Sequence, residues 1–86
     1  MMDGAYTDFH ALTEEDVQFF ADVMNEQVSV IAEPLAVATQ VVAGTNYRYF
    51  CNATVETPKA RSYPAMVTIF KSLAGTSELM GVTEIK

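Results

Sequence analysis

Two runs of strand-forming residues meet at a single glycine in the middle of the chain. Residues 40–43 are rich in valine, Gly44 follows, and a second run begins at Tyr47. Valine and tyrosine favour strands, and a glycine between two such runs with Thr45 and Asn46 after it predicts a hairpin turn. Strands joined by so short a turn pair antiparallel, so this stretch defines the centre of a predicted sheet.

The residues beside this bend are apolar, which is unusual for a turn. Val41, Val42 and Ala43 would expose apolar area if they lay at the tip, and such exposure indicates a binding partner. Alternatively, the valines are the last inward-facing residues of a strand, with only Gly44 and Asn46 in the turn. A short apolar run does not separate these two interpretations.

One amphipathic helix is predicted at residues 14–27. Thr13 is a suitable N-cap, and Asp16 is its partner in a capping box. Acidic residues in the first turn favour the positive end of the helix dipole. Apolar residues at helical spacing form one stripe that should face the core, with two flanking residues that widen it. The stripe contains Val17, Phe20, Ala21, Met24 and Val28, and the flanking residues are Phe19 and Val23.

Four strands are predicted after the helix. The first two cover residues 29–42 and 46–56, the third lies between a polar turn at residues 57–62 and a loop at residues 72–78, and the last covers residues 79–86. Pro34 cannot donate a ladder hydrogen bond, which indicates an edge strand or a bulge. The helix could instead continue to Glu33. Strands in sequence with short connections predict an antiparallel sheet, and the helix can cover its apolar face, so the fold class is α+β.

Alternation of apolar residues predicts which side of each strand faces the helix. In the first strand this side carries Leu35, Val37 and Val41; in the second it carries Tyr47, Tyr49, Cys51, Ala53 and Val55; in the third it carries Ala65, Val67 and Ile69.

Size and charge limit the classes of function. The chain has 86 residues, enough for one domain spanning residues 1–86. Its net charge of −6 leaves no basic surface for nucleic acid. No segment approaches the roughly 20 apolar residues that a membrane span needs. A single cysteine and the lack of a signal-peptide pattern predict a cytoplasmic protein.

The sequence contains no pattern typical of catalysis, and we expect no enzyme activity and no cofactor. One histidine and one cysteine cannot supply the usual ligands of a zinc site. Cys51 on an apolar strand face is typical of a small buried residue with an inert thiol. A catalytic Cys51–His10 pair is the alternative, and it would need an electropositive site that lowers the cysteine pKa.

Three stretches carry motifs in a fixed order along the chain. They are Met1-Met2-Asp3-Gly4-Ala5, Gln40-Val41-Val42-Ala43-Gly44 with Thr45-Asn46-Tyr47 after it, and Val67-Thr68-Ile69-Phe70-Lys71-Ser72-Leu73-Ala74-Gly75. The second resembles the Q-V-V-A-G signature of the cystatin superfamily. The first resembles the amino terminus of the stefins, the intracellular branch of that superfamily, and the third resembles the stefin strand and second hairpin. The resemblance covers most of the chain and implies the cystatin fold, an N-terminal helix packed across a four- to five-stranded antiparallel sheet.

The resemblance also implies a function. Stefins are reversible, tight-binding, non-covalent inhibitors of papain-like cysteine proteases of the cathepsin type, and they block the active-site cleft with an N-terminal trunk and two hairpin loops. The matching residues are Gly4 in the trunk, Gln40, Val41, Val42, Ala43 and Gly44 in the first hairpin, and Leu73, Ala74 and Gly75 in the second. The family commonly has proline where Ala74 stands, so a looser second loop is expected.

Two further expectations accompany this interpretation. The first hairpin would serve as a hinge, giving an inhibitory monomer and a domain-swapped homodimer without inhibitory activity. The alternative function is a cystatin-fold protein-binding module that does not inhibit proteases.

Overall fold

One helix packs on a four-stranded antiparallel sheet in the computed structural model, which describes residues 4–26, 31–55 and 60–85. The elements are α1 (Glu14–Met24), β1 (Ile31–Val42), β2 (Gly44–Val55), β3 (Arg61–Lys71) and β4 (Ser77–Glu84). The strands lie in the order β1-β2-β3-β4, each antiparallel to its neighbour. The predicted α+β class is therefore confirmed. Within the described residues, no helix has the length and hydropathy that crossing a bilayer requires.

The predicted capping box begins α1. The Asp16 amide donates to Thr13 Oγ1 at 3.1 Å, and the Thr13 amide donates to Asp16 Oδ2 at 3.0 Å. The helix ends at Met24, earlier than predicted, and its C-cap is Asn25. Glu26 would place negative charge at the negative end of the helix dipole, which disfavours another turn. Gln27 and Val28, which the prediction included, lie outside the described residues.

Two aromatic contacts determine which face of α1 is buried. The ring centres of Phe20 and Tyr49 lie 4.8 Å apart, and those of Phe19 and Tyr47 lie 4.6 Å apart. Phe20 and Val23 are buried, whereas Val17 is 45% exposed. The predicted stripe is therefore wrong at Val17, because packing of the large rings turns the helix toward Phe19 and Val23.

A hydrogen bond from Tyr49 fixes the first turn of α1 on the sheet. The hydroxyl of this fully buried tyrosine donates to the backbone carbonyl of Asp16 at 2.8 Å. Burial, with the nearby Asp16 carboxylate as a smaller cause, raises the pKa of Tyr49. The hydroxyl therefore stays a donor throughout the physiological pH range.

Strand β1 has an irregularity that the proline signalled. Pro34 pairs with Cys51 and Ala36 pairs with Phe50, so Leu35 is an additional residue in a bulge. Pro34 was predicted to indicate either an edge strand or a bulge, and both are correct, since β1 is also the outer strand in the sheet order. Leu35 is 49% exposed, and its predicted helix-facing position is wrong because the bulge shifts the alternation.

Strands β2 and β3 supply the centre of the core, as predicted. The alternating residues that are buried are Tyr49, Cys51 and Ala53 of β2 and Ala65, Val67 and Ile69 of β3. β3 starts at Arg61, which pairs with Val55 and lies 3.7 Å from the carboxylate of Glu84. Arg61 and Ser62 therefore belong to the strand and not to the predicted polar turn.

The first hairpin is tighter than predicted. Only Ala43 separates β1 from β2, and Thr45 and Asn46 pair within the strands. Gly44 has a φ of +113°, and a Cβ there would lie 2.5 Å from the Lys71 carbonyl oxygen and 2.8 Å from the Phe70 ring. A glycine is therefore required by the backbone conformation and by the close approach of β3.

We expect Gly44→Ala to lower the free energy of unfolding by about 2 kcal/mol or more, because it adds backbone strain and displaces β3. Gly81→Ala is the matched control, since a Cβ there meets no atom within 4 Å and no positive φ is involved. Its effect should stay within about 0.5 kcal/mol. Urea denaturation of both variants measures the difference, and equal stabilities would contradict the requirement at Gly44.

Candidate functional site

The β1–β2 connection and the β3–β4 connection lie at the same end of the sheet. Thr45 of β2 pairs with Val41 of β1 on one side and with Lys71 of β3 on the other. The bend at Ala43 follows β1 directly, and the loop between β3 and β4 follows Lys71 directly. The register therefore brings the first and second predicted binding loops to one end.

The N-terminal segment, residues 4–10, joins them by pairing with the outer edge of β1. Two backbone hydrogen bonds of 3.0 and 3.1 Å link His10 with Val37, and the Thr7 amide donates to the Thr39 carbonyl at 2.8 Å. This antiparallel course brings Gly4 beside Gln40, whose side-chain amide donates to the Gly4 carbonyl. Gly4 has a φ of +102°, a conformation that suits glycine.

We call the surface formed at this end the apolar rim. It consists of Gly4, of Val41, Val42 and Ala43 at the first hairpin, and of Leu73, Ala74 and Gly75 at the second loop. None of these side chains is charged. Gly44, also predicted for the site, is buried beneath the rim against β3.

The first hairpin projects its apolar residues into solvent. Exposure rises along the helix-facing side of β1 from the fully buried Val37 to Val41, which is 58% exposed. Ala43 is exposed and Val42 is half-buried. The structure combines the two interpretations left open by the sequence: Val41 and Val42 are the last residues of β1, yet Val41 and Ala43 are exposed.

The second loop presents Leu73, which is 84% exposed. The Ser72 amide donates to the Thr76 carbonyl at 2.8 Å, and the Gly75 amide donates to the Ser72 carbonyl at 3.0 Å. The Ser72 and Thr76 hydroxyls lie 2.8 Å apart, and the Thr76 amide donates to the Ser72 hydroxyl at 3.2 Å. These bonds restrain the loop that contains Ala74, for which the sequence predicted a looser conformation. The sequence signal for them is a pair of hydroxyl residues flanking the loop, which our sequence interpretation did not use.

The side chain of Gln40 is engaged within the protein. Its Nε2 donates to the Gly4 carbonyl at 2.6 Å, and its Oε1 accepts from Asn46 Nδ2 at 2.8 Å. Asn46 is the residue opposite Gln40 on β2. Gln40 thus connects the N-terminal segment to the first hairpin, a role that the sequence prediction of a contact residue did not include.

Cys51 and His10 occupy different environments. Cys51 is fully buried with its Sγ 3.6 Å from the Tyr49 carbonyl oxygen, and burial raises its pKa to about 12. His10 is exposed and lies on the far side of β1 from β2. The thiol is therefore protonated at neutral pH, which agrees with the inert interpretation of Cys51. In the described ranges, no group of three or more His, Cys, Asp or Glu residues is arranged to hold a metal ion.

Comparison with known proteins identifies no relative of this chain. No protein-family model, curated protein or solved structure matches it. A functional assignment therefore depends on the geometry of the apolar rim and on the motifs that the rim contains.

Burial of Cys51 predicts a loss of stability in alkaline solution. The thiol pKa rises from about 9 to about 12 on folding, so above pH 9 the unfolded chain releases this proton while the folded chain retains it. The free energy of unfolding should therefore fall with increasing pH, with this group contributing at most about 1.4 kcal/mol per pH unit. Tyr49, whose pKa is also raised, acts in the same direction above pH 10.

The Cys51→Ala variant isolates the contribution of the thiol. Its free energy of unfolding, measured by urea denaturation from pH 8 to pH 10, should fall less steeply than that of the original protein. The slopes are compared because removal of the sulfur also changes packing. Identical slopes would contradict the assignment to Cys51.

Proposed function

We propose that this chain is a reversible, tight-binding, non-covalent inhibitor of papain-like cysteine proteases, and that the apolar rim enters the active-site cleft. The observation that supports this most strongly is the convergence of Gly4, the first hairpin and the second loop at one end of the sheet. These are the three elements that carry the stefin-like motifs. The exposed side chains of Val41 and Leu73 provide apolar area that a cleft would remove from water.

The rim is suited to block a cleft because much of it is held in place before binding. The first hairpin is continuous with β1 and β2, and the second loop is closed by the Ser72–Thr76 hydrogen bonds. Docking therefore costs little loop entropy, and affinity comes from desolvating a few apolar side chains.

The bend at Ala43 also explains how the inhibitor would escape cleavage. Hydrolysis requires the scissile carbonyl to be held in line with the nucleophile. Val42 and Gly44, on either side of Ala43, are paired within the sheet. The peptide bonds at the tip therefore turn sharply and are not free to adopt an extended substrate conformation.

Each part of the rim has a separate role in this proposal. Val41, Val42 and Ala43 make the main contact, and Leu73 with Ala74 and Gly75 makes a second contact. Gly4 lets the N-terminal segment bend into the remaining part of the cleft. No catalytic group, cofactor or metal takes part. A cytoplasmic location belongs to the same proposal, since stefins are intracellular and a chain with one cysteine requires no oxidising compartment.

Titration against papain tests the proposal directly. With a fluorogenic peptide as substrate, the protein should inhibit papain at concentrations well below micromolar. Val41→Asp should raise the inhibition constant by about 100-fold or more, because a carboxylate would have to lose its hydration in the cleft. Met80→Asp is the matched control: Met80 is 57% exposed, close to the 58% of Val41, but lies within β4 away from the rim, and its inhibition constant should not change.

Two results would count against the proposal. Undiminished inhibition by Val41→Asp would remove the rim as the contact surface. No inhibition at high micromolar concentration, repeated with several papain-like proteases, would instead favour a protein-binding module with another partner.

We also propose that the first hairpin is the hinge of a domain-swapped dimer. Only Ala43 connects β1 to β2, so straightening this bend would let the N-terminal segment, α1 and β1 of one copy pack on the remaining strands of another. The intramolecular contacts would be replaced by the same contacts between copies. The inhibitory form in this proposal is the monomer.

Size-exclusion chromatography followed by papain inhibition assays on each peak tests the hinge. The monomer should inhibit, and the dimer should not, because straightening the bend removes the tip formed by Val41, Val42 and Ala43. A dimer that inhibits as well as the monomer would contradict the proposed exchange through this hairpin.

A further inference from the structure

The hydrogen bonds of Gln40 lead to a different role from the one its motif implies. We propose that Gln40 is a positioning residue, which holds the N-terminal segment against the first hairpin before a protease binds and makes no contact with the protease. The expected effect of Gln40 on protease inhibition rests on the proposed function. Its role in ordering the N-terminal segment does not.

The geometry at Gln40 gives its amide a defined orientation. Asn46 Nδ2 donates to Gln40 Oε1 at 2.8 Å, so the oxygen of the amide faces β2. The Nε2 group is then directed outward from the edge of the sheet, where it donates to the Gly4 carbonyl at 2.6 Å. Both polar groups of the side chain are thus in use within the protein, which leaves each with one hydrogen-bonding position instead of two.

Other contacts hold the segment farther along. The Thr39 amide donates to the Thr7 hydroxyl at 3.0 Å, and the guanidinium carbon of Arg48 lies 3.8 Å from the centre of the Tyr6 ring. These contacts secure residues from Tyr6 onward. The bond from Gln40 reaches two residues closer to the start of the chain, at the glycine whose positive φ turns the backbone.

Gln40 therefore controls the direction in which the segment leaves the sheet. Without its bond, residues 4 and 5 gain conformational freedom that they must lose again when a protease binds. A segment that is already ordered avoids this entropy cost, which makes binding tighter. One hydrogen bond of ordinary net strength corresponds to an effect of about fivefold on the binding constant.

Gln40→Glu tests this role with little change of shape. The carboxylate still accepts from Asn46 but cannot donate to the Gly4 carbonyl. Asn52→Asp is the matched control, because it makes the same amide-to-carboxylate change at an exposed position in the half of β2 remote from the rim. If the glutamate variant is poorly folded by circular dichroism, Gln40→Met removes the same donor without adding charge.

The first measurement needs no protease. The ¹⁵N relaxation of the Gly4 and Ala5 amides should report increased motion in Gln40→Glu compared with the original protein, whereas hydrogen exchange at Thr7, whose amide donates to the Thr39 carbonyl, should stay unchanged. Asn52→Asp should change neither. Unaltered relaxation at Gly4 and Ala5 in Gln40→Glu would overturn the proposal, whatever the protein inhibits.

The second measurement separates positioning from direct contact. Gln40→Glu should raise the papain inhibition constant about fivefold in the full chain, but less than twofold in a variant in which one methionine replaces residues 1–5. If Gln40 contacted the protease, Gln40→Glu would raise the inhibition constant by the same factor in the full chain and in the shortened variant, and that result would overturn the proposal. If the original protein does not inhibit papain, the proposed function fails, and the relaxation measurement still decides the role of Gln40.

Discussion

The close approach of β3 to Gly44 is the constraint on which the arrangement of the molecule depends. No side chain fits between this residue and the Lys71 carbonyl, and the positive φ turns the chain back after a single intervening residue. The register of β1, β2 and β3 follows from that turn, since Thr45 pairs with both Val41 and Lys71. The two loops of the rim share one end of the sheet because consecutive strands run antiparallel, and the glycine at position 44 lets the first of them turn tightly against β3.

The position of the helix, in contrast to the turn at Gly44, is fixed by aromatic packing and not by backbone geometry. Phe20 contacts Tyr49, Phe19 contacts Tyr47, and the Tyr49 hydroxyl bonds to the carbonyl of Asp16. These contacts join the start of the helix to the middle of β2. The rim thus extends from a sheet whose covered face is closely packed against the helix.

Elements with a local signal could be predicted from the sequence, whereas features that depend on distant partners could not. The capping box of Thr13 and Asp16 and the core alternation of β2 and β3 required only neighbouring residues. The exposure of Val17 depends on rings 30 residues away along the chain, and that of Leu35 on a bulge whose exact position alternation does not reveal. The same limit applies at the rim: the motifs identified its loops, but the bonds from Gln40 to Gly4 and between Ser72 and Thr76 depend on three-dimensional proximity.

The two outer strands of the sheet differ in how they avoid uncontrolled association. The N-terminal segment pairs with the free side of β1 and occupies backbone groups that could otherwise recruit a strand from another molecule. β4 has instead a bulge at Met80 and the acidic residues Glu78 and Glu84, which oppose the flat stacking found in fibrils. Proteolytic trimming of the N-terminal segment would therefore remove a safeguard against aggregation as well as a part of the rim.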